Sequence, residues 1–345
     1  MDWSVSDERL APQPPKDKSL GIAIVGCGEI ANIAHLPAYR AAGLRVVSCF
    51  DLDRQAAERT AEKFEIDEVA ESLDALLSNP EVAIVDIAIH MNGRREVFRR
   101  ACEAGKHILL QKPVAHTMEQ AQEYVQRARE SGVKYQVNQQ ARWAGTHRQI
   151  KTWIEGGAIG RLNYLRLDMR GWQDDPEKWY VRQENMTLVD HGIHYFDLLR
   201  YFSGKEARRV AAMHASVPGQ LHISPVIYAA IVDFGDGLIA EHNFNNKVMT
   251  DSPWDMCLYA DGEDGSAWCD FERVRLERRD GTSIEAKPAA KWFPDGFLGP
   301  MADLMDAIAD DRVPACSGES NLGTMRLVLG ALESAQQGIV RQWAD

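Results

Sequence analysis

This chain has no disulfide or zinc framework to read. Its six cysteines (Cys27, Cys49, Cys102, Cys257, Cys269 and Cys316) are scattered, with no Cys-x-x-Cys pair. No Cys/His cluster has ligand spacing, so no metal site is expected, and thiols inside apolar runs read as small core residues in a reducing compartment. No apolar run approaches the roughly 18–20 residues that span a bilayer, so no membrane partner is expected. The polar start from Met1 to Ser19 carries Pro12, Pro14 and Pro15 but no basic or apolar region. It reads as a draped arm of a cytoplasmic protein, not a secretory leader. Positive charge is short as well: 39 Lys and Arg against 51 Asp and Glu leave a net charge of −12. That balance argues against nucleic acid or an anionic surface as the main partner. Internal repeats and low-complexity segments are also absent.

What is present fits an ordinary globular chain of two domains: 345 residues, 45% hydrophobic and 26% charged. The richest stretch is Leu20 to Asp51. The apolar run Ile22-Ala23-Ile24-Val25 meets Gly26-Cys27-Gly28-Glu29-Ile30-Ala31, then an Ala-rich helical segment, then a second apolar run ending in Asp51. Strand, glycine turn, helix, strand and acid in that order make a dinucleotide site. Gly26 takes the tight turn, Gly28 lets the backbone approach a pyrophosphate, and Ala31 lets the helix pack on the sheet. The helix N-terminus offers unpaired N–H groups to phosphate. Asp51 can accept from both ribose hydroxyls and repels a 2′-phosphate, which favours NAD; Arg54 leaves NADP open.

Strand and helix keep alternating to Asn138, giving six strands of a doubly wound α/β sheet over residues 20–138, preceded by the arm 1–19. From 139 to 345 the rhythm changes. A helix, a strand, a Trp-rich loop (Trp172 to Thr187) and another helix lead into successive strands from Arg209 to Arg278, and two helices close the chain. Turn signals such as Gly235-Asp236-Gly237 predict an α+β domain on a large, open, mainly antiparallel sheet. Helices covering one face leave the other in need of a partner. Trp254, Met256 and Trp268 are candidates for that face, and a homodimer or homotetramer through the sheet is expected.

Two further motifs carry chemistry. Gln111-Lys112-Pro113 ends the fifth strand, where open α/β sheets bind ligands. Asp190 and His194 stand four apart at a helix start and can share a face. A carboxylate orients the imidazole and favours its charged form, which suits a general base; a lysine can stabilise alkoxide character. Read singly, Lys112 is equally a turn lysine, Asp190 an N-cap and His194 a core histidine. His191 reads as turned aside.

With these motifs together, the chain resembles the glucose–fructose oxidoreductase, inositol 2-dehydrogenase and rhizopine-catabolism (Gfo/Idh/MocA) family. The resemblance rests on the glycine turn, on Ala104-Gly105-Lys106-His107 before Gln111-Lys112-Pro113, on Gly157-Ala158-Ile159-Gly160, and on Asp190-x-x-x-His194 followed by Asp197. It implies a Rossmann-type domain holding NAD through Gly26, Gly28, Glu29, Ile30, Asp51, His90, Asn92, Gln111 and Lys112. It implies Lys112, Asp190 and His194 as catalytic residues, with Arg142 beside them. Trp172 and Trp179 offer flat surfaces to a sugar ring. The chain departs from the family's usual motifs at Gln111, where glutamate is usual, at His90-Met91-Asn92, and at Asn185 to Val189. The expected activity is hydride transfer between nicotinamide and a secondary alcohol of a sugar, glycoside or cyclitol. A redox-neutral enzyme with retained NAD and a non-catalytic sensing module are the alternatives.

Overall fold

The structure is a computed structural model that describes residues 3–251 and 254–343. Contacts divide the chain into two compact units. One holds Ala11–Ala144 with Trp292–Leu322; the other holds Gly145–Lys291 with the segments up to Leu10 and from Gly323 onward.

The first unit is built on six strands: β1 Gly21–Val25, β2 Val46–Phe50, β3 Glu68–Val69, β4 Val82–Ile87, β5 His107–Gln111 and β6 Tyr135–Asn138. They run in the order β3-β2-β1-β4-β5-β6, and every pairing is parallel. β1 is buried at every position because it lies centrally, with both faces covered. The order reverses beside β1, and that crevice at the carboxyl ends of the strands is where such sheets bind ligands. The helix Leu298–Ala309, expected among the closing helices of the second half, packs on this sheet instead. Its Met301, Leu304 and Met305 share one core with Ile22, Ile84 and Leu109.

The second unit carries nine strands: β7 Leu162–Arg170, β8 Arg209–Ala215, β9 Ile227–Gly235, β10 Leu238–Asn245, β11 Asp255–Gly262, β12 Gly265–Cys269, β13 Val274–Arg278, β14 Ser283–Ala286 and β15 Arg341–Gln342. Their order is β14-β13-β12-β11-β7-β10-β9-β8-β15. The pairings are antiparallel except β7 with β10, which run parallel because residues 171–237 intervene before the chain returns beside β7. Alternation sets the faces: Leu165, Leu167 and Met169 point under the helices, while Tyr164, Arg166 and Asp168 point away. Met256 corrects one expectation. It pairs with Met169 on the helix side and is 1% exposed, so it belongs to the core and not to the open face. Trp254, just before β11, is exposed, and Trp268 is half-buried opposite Tyr259.

Two edge strands, β14 and β15, and the short helix Asp7–Leu10 escaped the sequence reading. Among the described residues, no helix is long and apolar enough to cross a membrane. All six cysteines are free thiols.

Candidate functional site

At the nucleotide end, the backbone explains each glycine. Gly26 leaves β1 with φ of 103°, donates its N–H to Phe50 O at 2.9 Å, and has no room for a side chain. A Cβ there would stand 2.6 Å from Ile89 Cγ2 and 2.8 Å from Ala88 O. Gly28 is the opposite case. It is exposed and a Cβ would meet nothing within 4 Å, so its backbone is open to a ligand. Glu29 is exposed and Ile30 half-buried at the helical entry, and Ala31 is fully buried against the sheet. The entry includes a π-turn, Ala31–His35, before the α-helix Leu36–Ala42. Such turns occur often at functional sites.

Two side chains knit this turn. Asn32 Nδ2 donates to Cys27 O and Gly28 O, each at 3.0 Å. Asp51 accepts from the Cys27 N–H at 2.8 Å and from the Asp53 N–H at 2.9 Å. A carboxylate has about four acceptor positions, so Asp51 keeps capacity for ribose hydroxyls. Arg54 is held by Glu58 at 2.8 Å, one turn along its helix. The glycine cradle, the open Gly28 and the anchored acid fit a dinucleotide. The Cys27 thiol is pushed up in pKa by its hydrogen bond with Cys49 and by burial.

Further along the sheet edge, His90 caps the helix Met91–Glu103 without a side-chain cap bond and is exposed. Asn92 Oδ1 is 2.8 Å from His116 Nε2. Gln111 ends β5 with its side chain turned inward, 5% exposed, and Lys112 follows half-buried. Arg142 lies half-buried on the 3-10 turn Gln140–Trp143 that follows β6. Three residues to which the sequence reading gave no site role support this strand end: Arg94 contacts Lys112, His35 contacts Gln111, and Asp86 contacts His35. Arg94 is buried and donates to Ile89 O, Lys112 O and Pro113 O. His35 and Asp86 are both fully buried and joined at 2.7 Å. A lone acid in the apolar run of β4 was the signal for that pair.

In the second unit, a π-turn Met186–His191 runs straight into the helix Ile193–Ser203. Asp190 lies in the first and is half-buried; His194 lies in the opening turn of the second and is 4% exposed. Between them Gly192 has ordinary helical φ but no space: a Cβ would stand 2.2 Å from Leu188 O and 2.5 Å from Tyr228 Oη. Tyr228 is itself fixed, its hydroxyl 2.5 Å from His242 Nε2 while His242 Nδ1 lies 3.0 Å from Leu167 O. The ring of His191 packs on Phe244 at 5.1 Å.

The Trp-rich loop is pinned, not loose. Trp172 bridges to Lys247, and Gly171 and Gln173 bond to the strand end after β10. Asp174 is buried, accepting from the Leu221 N–H at 2.8 Å, the His222 N–H at 3.3 Å and Lys247 Nζ. Burial raises its pKa, but Lys247 and the two N–H groups outweigh that and hold the carboxyl below its usual value. On this frame Trp172 is 36% and Trp179 45% exposed, open to an apolar face.

Residues 20–139 match the family described as the oxidoreductase family with an NAD-binding Rossmann fold, and residues 147–268 match the GFO/IDH/MocA C-terminal domain. The chain is 30% identical to 1,5-anhydro-D-fructose reductase of Ensifer adhaerens, covering 91% of this chain and 96% of that one. It is 24% identical to D-apiose dehydrogenase of Paraburkholderia graminis, covering 92% and 88%. Its fold matches the crystal structure of an oxidoreductase from Agrobacterium radiobacter in complex with NAD+, L-tartaric acid and magnesium. That match has a TM-score of 0.86 at 21% identity, over 94% of this chain and 98% of the other.

Proposed function

The chain belongs to the GFO/IDH/MocA oxidoreductase family, and on that premise we propose that it moves hydride between nicotinamide and a secondary alcohol of a sugar, glycoside or cyclitol. The carrying observation is the Asp190–His194 turn, where a half-buried carboxylate and a buried imidazole stand one helical turn apart around a glycine whose Cβ position lies 2.2 Å from Leu188 O. NAD, when bound along the glycine turn and Asp51, supplies the carbon that takes or gives the hydride. His194 takes the hydroxyl proton as the carbon is oxidised and returns it in the reverse direction. Asp190, one helical turn before it, orients His194. Lys112 donates to the alcohol oxygen and stabilises its developing negative charge. Arg142, Trp172 and Trp179 bind substrate, the tryptophans through the C–H face of a ring; Glu29, Ile30, His90, Asn92 and Gln111 border the cofactor. Asp51, with Arg54 engaged by Glu58, favours NAD over NADP. The exposed face of the nine-stranded sheet pairs copies into a homodimer or homotetramer.

The test is a panel of sugars, glycosides and polyols offered with NAD and with NADP, reading absorbance of the reduced cofactor. His194→Ala and Lys112→Ala should each lower turnover by about 10²–10⁴-fold while NAD affinity survives. Unchanged turnover in either removes that residue's role.

A further inference from the structure

Lys112 stands at the end of a buried chain of hydrogen bonds whose direction can be worked out from one certainty: a backbone N–H only donates. The Lys112 N–H donates to Gln111 Oε1 at 2.8 Å, so the other end of that amide, Nε2, is the donor facing His35 Nε2 at 3.1 Å. His35 Nε2 is therefore an acceptor, and Nδ1–H donates to Asp86 Oδ2 at 2.7 Å. Tyr39 Oη donates to the same oxygen at 2.7 Å, and Asn138 Nδ2 approaches His35 Nε2 at 3.2 Å. His35, Tyr39, Asp86 and Asn138 are all fully buried, so no bulk water competes for these bonds. The carbonyl side of the same residue is held too, since Arg94 donates to Lys112 O at 3.2 Å, to Ile89 O at 2.7 Å and to Pro113 O. The Lys112 backbone is thus gripped at its N–H by the Gln111 side chain from β5 and at its C=O by Arg94 from the helix Met91–Glu103, with His35 holding the far end of the Gln111 amide.

We propose that His35, oriented by Asp86, is a positioning residue for Lys112, acting through the amide of Gln111. The proposal rests on the reading of Lys112 as the donor to the substrate oxygen. A buried polar relay of this kind is not needed for a stable core, because apolar side chains of the same shape fill such space at no loss. What it adds is direction. The amide at position 111 matches both neighbours, presenting an acceptor to the Lys112 N–H and a donor to the imidazole. A side chain without a polar end leaves the start of the Lys112 turn unheld, and displacement of about 1 Å at a catalytic group lowers turnover by about 10²-fold.

Gln111→Met keeps length and burial while removing both amide ends; His35→Leu removes the imidazole. Each variant is compared with the parent for kcat, KM, NAD affinity, thermal midpoint, and the acetylation rate of Lys112 by sulfo-N-hydroxysuccinimide acetate. Acetylation is read by mass spectrometry against Lys134 in the same molecule, which stands just before β6 with its Nζ 2.7 Å from Asp311. The expected result is a severalfold altered Lys112 labelling rate with labelling of Lys134 unchanged, and kcat lowered by about 10²-fold with KM close to the parent in both variants. NAD affinity stays close to the parent in His35→Leu, whose imidazole is buried and not among the cofactor's neighbours. Unaltered Lys112 labelling in Gln111→Met overturns the relay whatever happens to turnover, and this variant decides if His35→Leu fails to fold. A parent without turnover on any alcohol overturns the dehydrogenase reading, while the labelling comparison still decides whether the relay positions Lys112.

Discussion

Two glycines two residues apart do different work, and substitution separates them. At Gly26 the backbone itself forbids a side chain, with φ of 103° and neighbours under 3 Å from the Cβ position. Gly26→Ala should therefore lower folding stability by about 1–3 kcal/mol or more, seen in denaturant unfolding without any ligand. Gly28→Ala meets no protein atom within 4 Å, so its unfolding midpoint should match the parent while NAD affinity falls. Equal loss of stability in both would contradict the assignment of Gly28 to the ligand. His242 makes a second prediction at this scale. Burial pushes its pKa from 6.5 down to about 4, with the bond to Leu167 O opposing only in part. Its stabilising effect is complete above pH 6.5 and is lost as pH falls towards 4, because the unfolded chain binds the proton first. The contribution is at most about 3 kcal/mol. His242→Gln should unfold with a shallower loss of stability between those pH values, by up to one proton; parallel curves would contradict it.

At the level of elements, legibility followed locality. The glycine turn, the six parallel strands and the Asp190–His194 turn were readable because each residue's requirement lies within a few neighbours. His35 was not. It looks like one histidine in an Ala-rich helix, and its partners Asp86 and Asn138 are 51 and 103 positions away. The helix Leu298–Ala309 shows the same limit: its apolar face says that it is buried, not against which sheet. It packs with the parallel sheet in one core, where Leu304 is fully buried in the same cluster as Ile84 and Leu109. Leu304→Ala should cost about 2–5 kcal/mol and lower the thermal midpoint. Saturating NAD should restore part of that loss if the cavity opens in the nucleotide-binding unit. A variant with the parent's midpoint would place this helix elsewhere. The parallel pairing of β7 with β10 was hidden for a related reason, since local turn signals report hairpins and not long returns.

At the scale of the whole molecule, the open face of the second sheet sets the next expectation. One row across it reads Ile231, Glu241, Arg166, Tyr259, Trp268 and Arg275, each opposite the next on neighbouring strands. Ile231 is 51% exposed, and Met213, on the next strand, is 78% exposed. Apolar side chains thus flank two opposite charges, Glu241 and Arg166, in the middle of the face, a pattern that can complement itself across a two-fold axis. Nine strands about 4.8 Å apart make a surface roughly 38 Å wide, enough to bury the 2,000 Å² or so of a permanent dimer. Ile231→Glu with Met213→Glu would place four new carboxylates against each other in a two-fold assembly, where desolvation and repulsion oppose contact. Sedimentation velocity should show the parent as a dimer or tetramer and the double variant as a smaller species that stays folded by circular dichroism. A parent that sediments as a monomer, or a variant that keeps the parent's mass, would contradict assembly through this face.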